Sequence, residues 1–420
     1  LKEEKSSFAI SLDEGVNGRT RPFGYDDYSV IVSGNGEIVV LLYNSEKEED
    51  GQTSTYINVY GKKDGAWKIV KGIIYPSRVL VEEKKFKVCI SHDGTVMAVY
   101  VPPKNNERTG CVDIITMDPD RSIANAAGGW KKLSSISLFS QQMVLSGDGK
   151  TLIAGVLTED NKKECYVFKK NEDKNTWDQN TLPASKDELA REYGDYFISS
   201  IATDYLGETI AVGDTLNSVK STAKQSLIMV FSYKQSSPNS IPSWVNTETI
   251  IPDDEDQIIG SSVSMSGDGC VIATEVGNRS NWLHGNADMP SGLAIYTKHF
   301  GNRMIISSSL SVDKRNLTSP GGQIILDYTG QTIFIPAEMT GRVRSSACLY
   351  SFHLHNFRKE DSCFDTAVKY ITIGNEVNDF QYPGYGVSTE GGVLAIISGK
   401  FLCDGRVMNT LVIHETPALK

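Results

Sequence analysis

The sequence lacks the features of several protein classes. No apolar run reaches the roughly 18 residues that a membrane-spanning helix needs. The 42 Lys and Arg residues are outnumbered by 52 Asp and Glu, which gives a net charge of −10, and they form no basic cluster. Nucleic acids and anionic lipid surfaces are bound by concentrated Lys and Arg. We therefore expect no nucleic acid partner and no membrane span within this chain.

Cysteine is scarce, with seven residues and no C-x-x-C pair. This spacing argues against a zinc site and against thioredoxin-like chemistry. Cys348 and Cys363 bracket one predicted hairpin and Cys89 and Cys111 another, so each pair is a candidate disulfide. The alternative is that Cys111, Cys165 and Cys348, which hold matching places in three repeats, are small buried apolar residues.

Glycine and aromatic residues are plentiful, with 37 Gly, 18 Tyr and 14 Phe. An alternating apolar stretch, then Ser-x-Asp-Gly or a variant, then a second apolar stretch recurs along the chain, as in KVCISHDGTVMAVYV. Seven units spaced 55 to 62 residues apart account for the whole sequence, which indicates a repeat architecture. The predicted turn glycines are Gly36, Gly94, Gly149, Gly207, Gly269, Gly330 and Gly391.

Each unit has room for four strands. A tight hairpin turn favours a residue with positive φ, which glycine adopts without strain, and a preceding Asp or Asn can bind turn amides. A third strand follows the hairpin, and a fourth carries Trp67, Trp130, Trp177 or Trp244 in four of the units. We therefore predict an all-β fold, a seven-bladed β-propeller with four-stranded antiparallel blades.

The last unit lacks a fourth strand of its own. Residues 7–12, ahead of the first unit, are free to supply it and to close the ring, which removes an open sheet edge. We predict a single domain over residues 1–420. Its approximate blades are 20–80, 81–137, 138–190, 191–252, 253–315, 316–375, and 376–420 plus 7–12.

The repeat resembles the FG-GAP repeat of the seven-bladed propeller in integrin α subunits and in secreted or surface proteins of microbes. The third unit carries the likeness best, with Leu145 to Gly155 reading LSGDGKTLIAG, then YVF and Trp177. The Phe-Gly pair survives plainly only at Phe23-Gly24. FG-GAP turns often hold calcium in a D-x-D-x-D-G loop, but no turn here has that spacing. We therefore expect no metal and no cofactor.

Three features favour a secreted or extracellular protein. The resemblance implies that setting, and the chain begins at Leu1, without Met, as a sequence does when a leader has been removed or when it is a piece of a longer chain. Two acceptor sequons, at Asn278 and Asn316, fit a glycoprotein.

Candidate recognition residues lie in the loops opposite the glycine turns, because those loops are the longer and more variable set. The loop of the fifth unit, NRSNWLHGNADMP, places an aromatic residue out of register with the four repeat tryptophans. This tryptophan is either a binding anchor or a plug for the base of its own loop. The binding candidates are Trp282, Leu283, His284, Phe380, Tyr382 and Tyr385.

No catalytic constellation stands out in the sequence, so we expect no enzyme. We predict a binding or adhesion module that presents loops to a protein or glycan partner at the cell surface. One alternative is a structural subunit of an extracellular assembly. The other is a propeller enzyme that acts on polysaccharide at the central channel, since fold alone does not select among these functions.

Overall fold

Every secondary-structure element that the computed structural model describes is a β-strand. The chain divides into two compact units, Leu1–Phe139, Val343–Ser346 and Ile373–Lys420 in unit 1, and Ser140–Arg342 and Ala347–Thr372 in unit 2. The prediction of a single domain stays a prediction. The described residues are 6–11, 20–22, 28–47, 53–63, 65–75, 86–103, 109–118, 129–138, 140–157, 163–183, 198–214, 226–235, 237, 240–252, 257–278, 290–297, 303–307, 317–318, 324–340, 345–355, 363–364, 368–373, 385–388, 390, 392–401 and 407–415.

Sheets 1 to 3 hold most of the strands in the first part of the chain. After β1 (Ser6–Ser11), the strands are, in sheet 1, β2 (Thr20–Pro22), β3 (Tyr28–Val32), β4 (Ile38–Lys47), β5 (Thr53–Lys63) and β6 (Ala66–Tyr75); in sheet 2, β7 (Lys87–Ile90), β8 (Val96–Val101), β9 (Gly110–Met117) and β10 (Trp130–Leu138); and in sheet 3, β11 (Ser140–Leu145), β12 (Thr151–Leu157), β13 (Lys163–Asn171) and β14 (Thr176–Thr181).

Sheets 4 to 7 follow the same plan. The strands are, in sheet 4, β15 (Ile198–Thr203), β16 (Thr209–Asp214), β17 (Leu227–Lys234) and β18 (Ser243–Ile250); in sheet 5, β19 (Gln257–Ile258), β20 (Val263–Met265), β21 (Val271–Asn278), β22 (Pro290–Thr297) and β23 (Arg303–Ser307); in sheet 6, β24 (Leu317–Thr318), β25 (Ile325–Leu326), β26 (Thr332–Thr340), β27 (Ser345–His355), β28 (Cys363–Phe364) and β29 (Val368–Ile373); and in sheet 7, β30 (Tyr385–Val387), β31 (Val393–Phe401) and β32 (Val407–Glu415).

Each sheet is built from strands that pair with their neighbours in the chain. In sheets 2, 3 and 4 four strands pair in sequence order, which confirms the predicted four-stranded antiparallel unit. In sheets 1, 5 and 6 the first strand is split into two pieces that pair with the same second strand. The second strands are almost wholly buried, as the burial of all six residues of β16 shows, because they pack on both faces.

The N-terminal strand adds to the last sheet, as predicted. β1 pairs antiparallel with β32 from Ser6 opposite Glu415 to Ser11 opposite Thr410, so sheet 7 has the order β1-β32-β31-β30. Phe8 and Ile10 of β1 pack on a core formed by sheets 7 and 1. The described strand is Ser6–Ser11, one residue earlier than the predicted segment.

The glycine turns form as the sequence indicates. In the Ser-x-Asp-Gly turn of sheet 3, Ser146 Oγ donates to Asp148 Oδ1 at 2.6 Å, and that oxygen accepts the Lys150 amide at 3.0 Å. Ser146 Oγ accepts the amide of Thr151 at 2.9 Å. The turn is therefore a closed polar network made by its own residues. The turn glycines Gly36, Gly94, Gly149, Gly207, Gly269 and Gly330 have positive φ values of 67° to 74°, and Gly391 lies outside the described residues.

Turns of consecutive sheets hydrogen-bond to each other within each unit. In unit 1, Asn35 N donates to His92 O at 2.9 Å, and Glu390 N donates to Gly34 O at 3.1 Å. The turn glycines also fit closely, since a Cβ on Gly94 would lie 2.7 Å from Ile38 Cγ1 of sheet 1. Larger cores lie between consecutive sheets, such as the one that sheets 1 and 2 share.

The four predicted repeat tryptophans occupy one position. Each lies at the start of the fourth strand of its sheet, opposite Lys62, Met117, Lys170 or Tyr233 of the third strand. The side chains of Trp67, Trp130 and Trp244 are buried.

The pairing register does not support the two disulfide candidates. Cys89 and Cys111 are free thiols, as are Cys165 and Cys270. Cys363 pairs with His355, seven residues along β27 from Cys348. Seven strand residues span about 23 Å, whereas disulfide-bonded Cα atoms lie within about 7 Å of each other. Burial of Cys165 agrees with the alternative of a small packed residue.

Candidate functional site

Most of the recognition residues predicted from the sequence lie outside the described part of the chain. These are Trp282, Leu283, His284, Phe380 and Tyr382, together with the sequon residue Asn316. Tyr385 is the first residue of β30 and pairs with Ile396, and Asn278 ends β21 opposite Gln257. The roles of all eight residues stay predictions.

A surface that sequence reasoning missed lies on the turns of unit 2. Sheets 4 and 6 carry tyrosine at the second turn position, where sheets 3 and 5 carry glycine. The ring of Tyr205 lies against Gly147 and the ring of Tyr328 against Gly267, so closely that a Cβ on either glycine would collide with the ring. This alternation of glycine and tyrosine in the turns SGDG, DYLG, SGDG and DYTG was the available signal.

The two tyrosine rings meet although their sheets are not consecutive. Tyr205 and Tyr328 contact edge to face, with ring centroids 5.7 Å apart and an interplanar angle of 86°, a favoured aromatic geometry. Leu206, next to Tyr205, is 54% exposed, and Tyr328 is 40% exposed. We call Tyr205, Leu206, Asp268 and Tyr328 the turn surface.

The backbone beneath the turn surface is held by hydrogen bonds between turns. Asp148 N donates to Tyr205 O at 2.9 Å, Tyr205 N donates to Gly267 O at 2.9 Å, and Gly267 N donates to Tyr328 O at 2.8 Å. Four consecutive turns are thereby joined by their main chains. A partner that touches these side chains meets a preformed surface, which limits the entropy lost on binding.

The carboxylate of the turn surface is ionised at neutral pH. Desolvation raises the pKa of Asp268, but the hydrogen bonds from Ser266 Oγ at 2.6 Å and Cys270 N at 2.9 Å together outweigh it, so the net shift is downward. In the turn of sheet 4, burial raises the pKa of Asp204. Asp268 is exposed and adds negative charge beside the tyrosine rings.

Lys169 of β13 is packed against two aromatic rings of sheet 4. Lys169 Nζ lies 3.5 Å from the ring centroid of Tyr233 and 5.6 Å from that of Trp244. Desolvation lowers its pKa, and the charges of Glu208, Asp148 and Asp204 oppose that shift. The ammonium is thus held on aromatic faces, where cation–π attraction replaces part of its hydration.

A second polar group, the Asp113 cluster, joins sheets 1 and 2 in unit 1. Asp113 is 4% exposed. It accepts hydrogen bonds from Tyr75 Oη at 3.1 Å, Ser135 Oγ at 2.7 Å and Cys111 Sγ at 3.7 Å, and it forms an ion pair with Lys132 Nζ at 2.7 Å. A bulge between Lys132 and Ser134 shifts the register of β10 beside the carboxylate.

The protonation states of the Asp113 cluster suit a structural link. Burial raises the pKa of Tyr75 first, and the charge of Asp113 raises it further. Burial also raises the pKa of the Cys111 thiol. Both groups therefore stay protonated at neutral pH and donate to the carboxylate, which ties the outer strand of sheet 1 to sheet 2.

The described part of the chain contains no group of three or more His, Cys, Asp and Glu side chains placed to hold a metal ion. Within the same residues, no helix is long and apolar enough to cross a membrane.

Known structures that resemble this chain include β-propeller domains. The β-propeller domain of Cps50 (Swd1) from Myceliophteria thermophila is 10% identical, with a TM-score of 0.51 over 95% of this chain and 99% of that one. The β-propeller domain of the trilobed protease from Pyrococcus furiosus is 11% identical, with a TM-score of 0.52 over 94% and 99%. The acylaminoacyl peptidase of Pyrococcus horikoshii is 11% identical, with a TM-score of 0.51 over 97% of this chain and 54% of that one.

These likenesses show the fold and nothing finer. No family model and no curated protein sequence matches the chain, so the resemblance to FG-GAP repeats is supported only at the level of a propeller. The all-β sheets and the structural likeness together confirm the β-propeller. A peptidase is among the similar structures, and fold alone does not decide between an enzyme and a binding protein.

Proposed function

We propose that this β-propeller is a non-catalytic binding module that engages a protein partner through the turn surface. The observation that carries the proposal is the exposure of Leu206 and Tyr328 on turns whose backbones are hydrogen-bonded to one another. Tyrosine is among the residue types that are enriched in binding hot spots, and Leu206 adds exposed apolar surface next to Tyr205. Asp268 adds a charged rim, which favours a partner with a complementary positive group.

The cellular setting belongs to the same proposal. We place the protein outside the cell or on a cell surface, where adhesion is its role, because the repeat resembles FG-GAP repeats and the sequence holds sequons at Asn278 and Asn316. The loop residues predicted from the sequence would extend the contact area on a second surface. Glycosylation of the purified protein is tested by a mass decrease after enzymatic removal of N-glycans.

The binding proposal is tested with the partner recovered from the natural source. The protein is isolated gently, the native mass of any complex is measured, and the partner is identified and purified. Its affinity is then measured for the wild type, for Leu206→Asp and for Tyr328→Ala. We expect each substitution to weaken binding at least tenfold, which corresponds to about 1.4 kcal/mol.

The control carries a new charge on an exposed strand position away from the turns. Gln179→Asp in β14 should bind as the wild type does, and circular dichroism should show that all variants are folded. Equal affinity of all four proteins would exclude the turn surface. If the recovered partner is a glycan and the same two variants lose affinity for it, the turn surface remains the binding site and the partner is a glycan instead of a protein.

A further inference from the structure

The last strands of sheets 1 to 4 differ in what they expose. β6, β10, β14 and β18 each lie at the edge of their sheet among the described strands. In three of them the exposed positions are polar or charged: Lys131, Lys132, Ser135 and Ser137 in β10, Thr176, Asp178, Gln179, Asn180 and Thr181 in β14, and Ser243, Thr247 and Glu248 in β18. β6 instead exposes Ile69 at 51% and Ile74 at 56%. Polar side chains are the usual protection of an open edge, so β6 is the exception.

The two isoleucines extend a buried apolar face to the edge of sheet 1. Ile69 pairs with Tyr60 and Ile74 with Tyr56 on β5, and both tyrosines are buried. Tyr56 stacks on Tyr43 of β4 with ring centroids 5.2 Å apart. An apolar row therefore crosses the sheet and ends at exposed Ile74, where an added strand could continue it.

The backbone of β6 is regular where it would have to pair. The register shifts at Val70, which is buried, but it is unbroken from Lys71 opposite Val59 to Tyr75 opposite Thr55. Alternate N–H and C=O groups of an edge strand point away from its sheet. Five regular residues offer these groups to an extended segment, in the manner of strand addition.

The positive charge of β6 favours a segment that carries acidic residues. Its sequence, AWKIVKGIIY, holds Lys68 and Lys71 and no acidic residue. We propose that the edge of β6 binds an extended segment of a partner protein in which acidic and aliphatic residues alternate. The aliphatic side chains cover Ile69 and Ile74, and the acidic ones face the lysines. A second copy of β6 would bring lysines together, which disfavours self-pairing.

The test uses a blocked, fluorescent eight-residue peptide of alternating Glu and Val with the full chain. Three changes should each weaken binding at least tenfold: replacing Glu by Lys in the peptide, N-methylating alternate residues of the peptide, and Ile74→Lys in the protein. N-methylation removes backbone donors and keeps the side chains, so it separates strand pairing from simple apolar contact. Hydrogen exchange of the β6 amides should slow when the peptide binds.

Matched variants make the result decisive. Thr247→Lys, at an exposed position of β18, should bind the Glu–Val peptide as the wild type does, and Lys71→Glu should prefer the Lys–Val peptide. Tight binding of the N-methylated peptide would overturn the proposal, as would equal loss in Thr247→Lys. If the protein self-associates and Ile74→Lys abolishes that association, the segment that binds β6 belongs to a second copy of this chain and not to a partner protein. Leu206→Asp should not change peptide binding. The test of the β6 edge is therefore independent of the test of the turn surface.

Discussion

Trp67 donates its indole N–H to Glu415 Oε1 at 2.8 Å, while Lys62 holds the other carboxylate oxygen at 2.7 Å. The contact joins sheet 1 to the last strand of sheet 7. Lys169 has the corresponding position in sheet 3 and lies over Trp244 of sheet 4. The same position of the repeat thus contacts the tryptophan of the following sheet in both cases. Glu415 does so through a hydrogen bond, and Lys169 does so through cation–π attraction.

Removal of this carboxylate should destabilise the protein. Glu415→Ala leaves the partly buried indole N–H and the ammonium of Lys62 without their shared acceptor, and we expect the free energy of unfolding to fall by about 2 kcal/mol. Glu415→Gln keeps an acceptor for the indole and should cost less. Urea denaturation measures both. Glu172→Gln breaks the exposed ion pair with Lys150 and should leave the midpoint of urea unfolding unchanged. A fall equal to that of Glu415→Ala would contradict the stabilising role of Glu415.

The turn glycines should be sensitive for two separable reasons. Gly94 has a φ of 73° and a Cβ there would lie 2.7 Å from Ile38 Cγ1, whereas Gly65 has a φ of 78° and open space around it. Gly65→Ala should cost about 1–2 kcal/mol from backbone strain alone. Gly94→Ala adds a clash between sheets and should cost at least about 1 kcal/mol more. Thermal denaturation measures both variants. An equal fall in melting temperature would mean that the close contact between Gly94 and Ile38 does not contribute to stability.

The serine and aspartate of a turn should be exchangeable only as a pair. Ser266 donates to Asp268 in sheet 5, but in sheet 6 Asp327 stands at the first position, accepting the Gln331 amide at 2.7 Å and the Thr329 hydroxyl at 3.0 Å. Ser266→Asp places two carboxylates together, and Asp268→Thr removes an acceptor. Each should cost about 1–2 kcal/mol.

The double variant recreates the Asp and Thr pair found in the turn of sheet 6. It should recover most of the loss, with a coupling energy of about 1 kcal/mol or more in a double-mutant cycle measured by urea denaturation. Additive losses would show that the two side chains do not act as one network.

Stability should fall in alkali because of buried tyrosines. Desolvation raises the pKa of Tyr60 to about 12, and Asn58 partly offsets this effect. The unfolded chain loses this proton near pH 10, while the folded chain keeps it until about pH 12. The contribution is therefore complete below pH 10 and decreases as the pH rises, by about 2–3 kcal/mol at pH 12.

Tyr60→Phe should make that decline shallower. Urea denaturation from pH 9 to 12, with tyrosinate followed at 295 nm, measures it. Ile57→Val lowers stability without removing a tyrosine and should keep the wild-type slope. If Tyr60→Phe keeps the wild-type dependence of stability on pH, a group other than Tyr60 causes the loss of stability in alkali.

Thiol reactivity should separate the described cysteines. Burial raises the pKa of Cys89 and Cys165 to about 12, so little reactive thiolate forms at pH 8. Cys270 is partly exposed in its turn and Cys165 is buried, so Cys270 should be alkylated faster than Cys165. Peptide-level mass spectrometry after a short iodoacetamide pulse measures each site, and denatured protein serves as the reference. Fast native alkylation of Cys165 would contradict its burial.

Sequence reasoning succeeded where the information is local. The spacing of the turn glycines and the position of Trp67 and its counterparts recur with the repeat, so strand order followed from them. The register of β27, which sequence proximity does not reveal, places Cys363 opposite His355 and not near Cys348. Cys89 and Cys111 are free thiols that pair with Ala98 and Val101 at different places on β8. The meeting of Tyr205 and Tyr328 was missed because it joins sheets that are not consecutive. The Asp113 cluster lies beside a bulge in β10, and no pattern in the sequence indicates that bulge.

The pairing of β1 with β32 also bears on biogenesis. Ser11 and Thr410 are opposite each other although about 400 residues separate them. At a synthesis rate of roughly 5–20 residues per second, the segment that is made early waits about 20–80 s for its partner. During that interval the apolar side chains of Phe8 and Ile10 lack the strand that covers them in the folded chain, so we expect a chaperone that binds short apolar segments to protect the nascent chain.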